Sequence, residues 1–155
     1  MNPQQTRNAM ENDIHMAKVE PIQREHMAEV IMLLQNMSAY LPAEDSYDAI
    51  WDVFAAQPNV FSVVAIENEM VVGYGSVVIE SKIRGGKMGH VEDIVTHPDR
   101  LNKGIGKSVV NSLYEIARSK GCYKVSLQCQ QHNIPFYEKC DYKVSGSAMQ
   151  RFIAN

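Results

Sequence analysis

The feature that most constrains the fold is a pair of β-branched runs, Val60 to Ile66 and Val71 to Ile79, separated by the polar Glu67-Asn68-Glu69. Val and Ile fit a pleated strand, and so short a polar break leaves room only for a tight reversal. The spacing predicts a hairpin. A loop rich in Lys, Arg and Gly, Lys82 to Gly89, leads to a third predicted strand, His90 to Thr96. From Gly104 to Lys120, Val109, Leu113, Ile116 and Ala117 share one stripe at helical spacing, and Gly121 ends the run. A further strand is expected over Tyr123 to Cys129.

Upstream, Met27, Val30, Ile31 and Leu34 recur at helical spacing from Arg24, and the pattern ends before Pro42. A second helix is expected from Ser46, its cap, with Tyr47, Ile50, Trp51 and Phe54 on one face and Pro58 as its stop. Downstream, Asn133 is expected to cap a short helix that begins through Pro135, and two last strands are expected at Tyr142 to Ser145 and Ala148 to Ile153. The methionines read as core filler, chiefly Met27, Met32 and Met37. Residues 1–16 are polar and read as a loose tail; residues 17–155 are expected to form one domain, since a 155-residue chain is too short for two ordinary ones.

Composition narrows the function classes. Hydrophobic residues at 45% and charged residues at 21% match a chain that folds on its own. Fifteen Lys and Arg against eighteen Asp and Glu give a net charge of -3, so no overall positive field exists to hold DNA or RNA, and no nucleic-acid partner is expected. The apolar run Val30 to Leu34 falls far short of the roughly 20 residues that span a membrane. Cys122, Cys129 and Cys140 are odd in number and lack paired zinc-site spacing, so no metal is expected and a reduced, cytoplasmic setting is.

The strongest local chemistry lies at Lys103-Gly104-Ile105-Gly106-Lys107, where a strand and short turn open a helix. Such a junction presents unpaired N–H groups and the positive end of the helix dipole, and small residues let a bulky anion approach. It reads as a phosphate seat, or more simply as a capping turn. Gly106-Lys107-Ser108 looks like the end of a P-loop, but that motif needs a Gly where Leu101 stands, which disfavours a nucleotide triphosphatase. The carboxylates Glu92 and Asp93 are adjacent on a strand, so only one is expected to face a given site. Cys129 and Cys140, with His132 and His90 as bases, suggest a nucleophile, a weaker reading because buried cysteines are common.

His90-Val-Glu-Asp-Ile-Val95, Lys103 to Lys107, Gly121-Cys-Tyr-Lys-Val125 and Asn133-Ile-Pro-Phe-Tyr-Glu-Lys-Cys140 together resemble the glucosamine-6-phosphate N-acetyltransferases of the GNAT superfamily, continuously from about Ile79 to Phe152. The paired acids and the Asn-x-x-Phe-Tyr-Glu-Lys string are specific to these amino-sugar enzymes. The resemblance implies a mixed α/β (α+β) fold with a curved, mostly antiparallel sheet whose fourth and fifth strands splay apart around acetyl-CoA. It implies backbone contacts to pantetheine from Ile94, Val95 and Thr96, a pyrophosphate cradle from Asn102, Lys103, Gly104, Ile105, Gly106 and Lys107, and further cofactor contacts from Gln128, Asn133, Tyr137, Glu138 and Lys139. Two positions depart from the family: Leu101 replaces the usual Arg or Gln, with Arg100 one place earlier, and Gln128 stands where relatives often carry Asp.

The implied reaction is direct transfer of an acetyl group from thioester to primary amine in the route to UDP-N-acetylglucosamine, with no covalent enzyme intermediate. Such transfer needs a free amine, a donor for the oxyanion and a group to receive the leaving thiolate. By resemblance Glu92 is substrate ligand and base through water, Asp93 positions, and the Tyr137 phenol meets the sulfur. Substrate contacts are implied for Lys82, Ile83, Arg84, Glu92, Asp93, Ile94, Tyr123, Lys124 and Arg151, with Lys82 on the phosphate. Arg151 lies one place off the family's arginine, and a one-residue shift on a strand reverses the face. Relatives form dimers in which the C-terminal strand reaches the neighbour's site, so a homodimer is expected. The alternatives are an acetyltransferase for a protein or another small-molecule amine, and a non-enzymatic CoA-binding module.

Overall fold

The computed structural model describes residues 16–154, so the tail expected over residues 1–16 lies, apart from Met16, outside the described residues. Five strands form one sheet in sequence order: β1 (Lys18–Pro21), β2 (Val60–Glu67), β3 (Met70–Ser81), β4 (Lys87–Thr96) and β5 (Cys122–Leu127). The first four pair antiparallel and β5 joins β4 in parallel. The expected hairpin is present. Asn68 and Glu69 both take positive φ, 49° and 63°, as tight two-residue hairpin turns require.

Alternation along the strands divides two apolar clusters between the faces of the sheet. On one face, Val63, Val77, Ile79 and Val91 meet Ile105, Val109, Leu113 and Ala117 of α3 (Ile105–Ser119), the helix with the clearest pattern. Gly75 is essential to that contact: a Cβ there would lie 2.5 Å from Ile94 Cδ1 and 2.9 Å from Leu113 Cδ1. On the other face, Val64, Tyr74 and Val95 meet Val30 and Leu33 of α1 (Met27–Leu34). The helix α2 (Tyr47–Ala55) is held less deeply, with Tyr47, Trp51 and Phe54 half-buried. The last helix is α4 (Ile134–Glu138).

Several expectations are corrected. The stretch Arg24–His26 is a 3-10 turn, and α1 stops at Leu34, where the side-chain amides of Gln35 and Asn36 donate to the Ile31 and Leu33 carbonyls and close the last turn. Met32 and Met37 are 57% and 51% exposed, so only Met27 of the three fills core. Ser46 stands at the start of α2 but its hydroxyl donates to Ala43 O rather than capping. Asn133 likewise precedes α4 without a side-chain cap bond. Strand β4 begins at Lys87, three residues before the expected start, and β1 had no expected counterpart. Among the described residues no strand follows Leu127. The segment from Tyr142 onward leaves Val144, Met149, Phe152 and Ile153 exposed, because β propensity makes a strand only where a partner supplies the ladder.

Candidate active site

The ladder between β4 and β5 ends at Val91 and Leu127, while β4 runs on to Thr96. Its cause lies on the opposite edge. Tyr74 pairs with Val95 but Ser76 pairs with Glu92, so Gly75 faces both Asp93 and Ile94. This is a β-bulge, and Asp93 occupies it with φ at 54°. An extra residue bends its strand. The edge from Glu92 to Thr96 is therefore bent and runs on without a β5 partner, because β5 stops at Leu127.

The bulge also removes the strict alternation from which only one of the two acids was expected to face a given site. Strict alternation is broken at Asp93: Ile94 packs towards α3 and Val95 towards α1. Glu92 sits opposite Ser76, whose hydroxyl bonds Tyr74 Oη at 2.7 Å and also meets the Ser62 hydroxyl. Burial chiefly raises the Tyr74 phenol, and the charge of Asp93 adds to that rise. Both exposed carboxylates thus border the buried Tyr74–Ser76–Ser62 hydroxyl cluster. That cluster was not expected from the sequence.

Beyond Thr96 the chain makes a 3-10 turn, Pro98–Arg100, and delivers α3 through a loop with two left-handed residues, Asn102 (φ 61°) and Gly104 (φ 79°). The amides of the first turn of α3 are without helical partners by geometry, as expected for an anion seat. Gly104 is open, with nothing within 4 Å of an added Cβ. Gly106 also answers a packing constraint: a Cβ there would lie 3.1 Å from both Phe136 Cζ and Thr96 Oγ1. It lets α3, α4 and the end of β4 close together. Lys103 and Lys107 are exposed beside it.

On α4 the Tyr137 ring lies edge-on to Phe136, at 4.9 Å and 73°, and to Tyr142, at 6.1 Å and 73°. Burial, followed by the nearby thiols of Cys129 and Cys140, pushes its phenol up to about 12. It is a proton donor at neutral pH. Burial also raises the Cys140 thiol, which disfavours a thiolate nucleophile there. Asn133, Glu138 and Lys139 flank Tyr137 and are exposed, as is Gln128 after β5.

The basic turn is tied down. Lys82 N donates to Gly86 O at 2.7 Å, and Glu80 Oε2 accepts from Lys82 Nζ at 2.8 Å while standing 2.7 Å from His90 Nε2. Lys82, and after it His90, hold the Glu80 carboxyl below its ordinary range. His90 and Glu92 share a face one pleat apart, about 7 Å along the strand. The clasp by Glu80 thus ties the Lys82 ammonium to His90, on the same face of β4 as Glu92. Sequence reasoning missed it, although Glu80 near the end of β3 and Lys82 two residues on are its signal. Tyr123 packs on Gly86, with Lys124 Nζ 5.7 Å from its ring centroid. Ile83 and Arg84 are exposed on the turn, and Arg151 makes no ion pair or hydrogen bond among the described residues.

The sequence pattern of the acetyltransferase (GNAT) family matches residues 27–142. The glucosamine 6-phosphate N-acetyltransferase of Trypanosoma brucei brucei is 43% identical over 82 residues, 52% of this chain and 56% of that protein. The enzyme of the same name from Schizosaccharomyces pombe is 37% identical over 92 residues, covering 58% of this chain and 83% of that one. The crystal structure of the Arabidopsis thaliana glucosamine-6-phosphate N-acetyltransferase superimposes with a TM-score of 0.82 at 28% identity, over 89% of this chain and 99% of that chain.

Proposed function

Because the chain belongs to the acetyltransferase (GNAT) family, we propose that it transfers the acetyl group of acetyl-CoA to the 2-amino group of D-glucosamine 6-phosphate, giving N-acetyl-D-glucosamine 6-phosphate. The observation that carries this reading is the bent, unpaired edge of β4 beyond Val91, which starts at two carboxylates and ends at the turn into α3. Acetyl-CoA would supply the acetyl thioester. The donor set fits it: backbone groups of Ile94, Val95 and Thr96 for the amide-rich pantetheine arm, and the amides of Ile105, Gly106 and Lys107 for the diphosphate, where the helix dipole favours negative charge.

Glu92 takes the amine proton through water, and Asp93 orients the amine. Tyr137, still protonated, donates to the leaving sulfur. Lys82 holds the sugar phosphate from the turn beside Tyr123. No side chain needs to form a bond to the acetyl group. The protein-amine alternative would use the same donor set but has no call for a cation at Lys82. Release of free thiol from acetyl-CoA, followed across glucosamine 6-phosphate, glucosamine and a lysine peptide, tests the reading. Glucosamine 6-phosphate should give by far the highest kcat/KM. Faster turnover of the peptide would replace this reading with the alternative.

The chain acts as a homodimer in this proposal. The outer edge of β5 has no partner strand among the described residues, and a cavity of about 400 Å³ lies between Asn111 and Tyr114 of α3, Val125 of β5 and the segment Cys140 to Lys143. The Tyr142 hydroxyl is buried beside it without a hydrogen-bond partner. Those groups and the exposed apolar C-terminal residues are what a second copy would cover. Sedimentation at micromolar concentration tests this: a monomer would remove it. No helix among the described residues is long and apolar enough to cross a membrane. A cytoplasmic setting belongs to the same proposal.

A further inference from the structure

Glu67 is the buried carboxylate of the described residues, 8% exposed at the end of β2, where the hairpin turns. A charge in such a place needs a partner, since its desolvation is otherwise uncompensated. The partner comes from 33 residues away: Arg100 Nε donates to Glu67 Oε2, in an ion pair whose arginine side chain is 32% exposed. Arg100 closes the 3-10 turn, its amide donating to His97 O at 2.9 Å, and His97 N in turn donates to Val72 O at 2.8 Å. The base of the loop is thereby fixed to the tip of the β2–β3 hairpin at two points. Next come the left-handed residues Asn102 and Gly104, and then the first turn of α3.

Loop position matters here because the seat is made of backbone amides, which cannot swing to a ligand as a lysine can. The Leu101 side chain offers no polar group, and the guanidinium of Arg100 is directed at Glu67. We propose that Glu67 and Arg100 are positioning residues for the diphosphate of the acyl donor, holding the Leu101–Gly104 loop in register from behind without touching the ligand. This rests on the reading that the turn into α3 takes the diphosphate.

Calorimetry with CoA and steady-state kinetics with acetyl-CoA and with acetyl-pantetheine, which lacks the diphosphate, test the proposal. The variants are Glu67→Gln, Arg100→Leu, Arg100→Lys and the double variant Glu67→Gln/Arg100→Leu, which removes both charges and avoids a buried unpaired carboxylate. Each of the two single neutral variants should weaken CoA about tenfold. The double variant should be no weaker than the worse single, as for two ends of one interaction. Arg100→Lys should recover part of the affinity, while KM for acetyl-pantetheine and kcat at saturation should hardly move.

Loss in Arg100→Leu with none in Glu67→Gln would make Arg100 a direct ligand and overturn the proposal. Wild-type CoA affinity in both would overturn it too, as would equal losses with acetyl-pantetheine, which would mean a general disturbance of the fold. If the wild-type protein uses acetyl-pantetheine as well as acetyl-CoA, the diphosphate seat itself fails, an outcome visible before any variant is made.

Discussion

The Tyr137 ring meets Phe136 edge to face, with centroids 4.9 Å apart and planes at 73°. Phe136 is in turn the ring that a side chain at position 106 would strike. The proposed proton donor and the loop proposed to hold the acyl donor are thus joined through one aromatic ring, so disturbance at either end should reach the other.

Replacing Tyr137 with Phe keeps that packing and removes only the hydroxyl. We expect kcat to fall by roughly 10²-fold with little change in CoA affinity. Equal kcat in the two proteins would give the thiolate to another donor. The raised phenols also set a pH window. Tyr137 and Tyr142 both rise from 10.0 to about 12, chiefly by burial, so the folded state holds their protons more tightly than the unfolded one. Their contribution to stability is complete below about pH 10 and is lost as pH rises towards 12. Denaturant unfolding at pH 8, 10 and 11.5 should show the fall confined to the last interval, and reduced in Tyr142→Phe.

At Gly106 the expected defect is double. Gly106→Val places branched methyls against Phe136 and Thr96, at a position where even Cβ lies 3.1 Å from both. The dissociation constant of CoA should rise tenfold or more, at least about 1.4 kcal/mol, and kcat should fall as Phe136 moves beside Tyr137. Gly106→Ala, which needs only a few tenths of an ångström of adjustment, should be milder in both. Calorimetry paired with kcat separates the two losses; unchanged kcat in the Val variant would break the link through Phe136.

Phosphate recognition predicts a selective loss. A charge-assisted hydrogen bond to phosphate contributes about 1.5 to 3 kcal/mol, so Lys82→Ala should lower kcat/KM for glucosamine 6-phosphate roughly ten- to a hundredfold. Turnover of unphosphorylated glucosamine should stay the same. Proportionate loss on both substrates would place the phosphate elsewhere and leave Lys82 as the partner of Glu80.

Asp141 follows α4 with φ at 65°, in the left-handed region where an L side chain is strained. Asp141→Gly should stabilise the fold by about 0.5 to 1 kcal/mol and leave kcat unchanged. Thermal unfolding reads this directly. A lower Tm would mean that the Asp141 side chain makes a stabilising contact that outweighs the strain.

What the sequence disclosed follows from which forces are local. The β2–β3 hairpin and α3 are specified by short-range pattern: β-branched runs around Asn68-Glu69, and a stripe from Val109 to Ala117 closed by Gly121. The turn proposed for the diphosphate stood out in the sequence because glycines at 104 and 106 mark backbone that must approach something, though the contact of position 106 with Phe136 did not. The bulge at Asp93 was hidden because register depends on how β3 pairs, not on β4 alone. Glu80 with His90, and Glu67 with Arg100, were hidden because each joins residues that only the folded sheet brings together, whereas Glu80 with Lys82, two residues apart, was there to be read. The last strands were misread from Val144 and Ile153, whose propensity finds no ladder partner among the described residues.

The most direct test of the account is a single turnover with acetyl-CoA labelled in the acetyl group, protein in excess, quenched and separated into protein and small molecules. With glucosamine 6-phosphate present, the label should appear wholly in N-acetylglucosamine 6-phosphate, and at no time on the protein. Label held by the protein before it reaches the sugar would show a covalent acyl step and restore Cys129 or Cys140 as nucleophile; label that stays on CoA would contradict the activity itself.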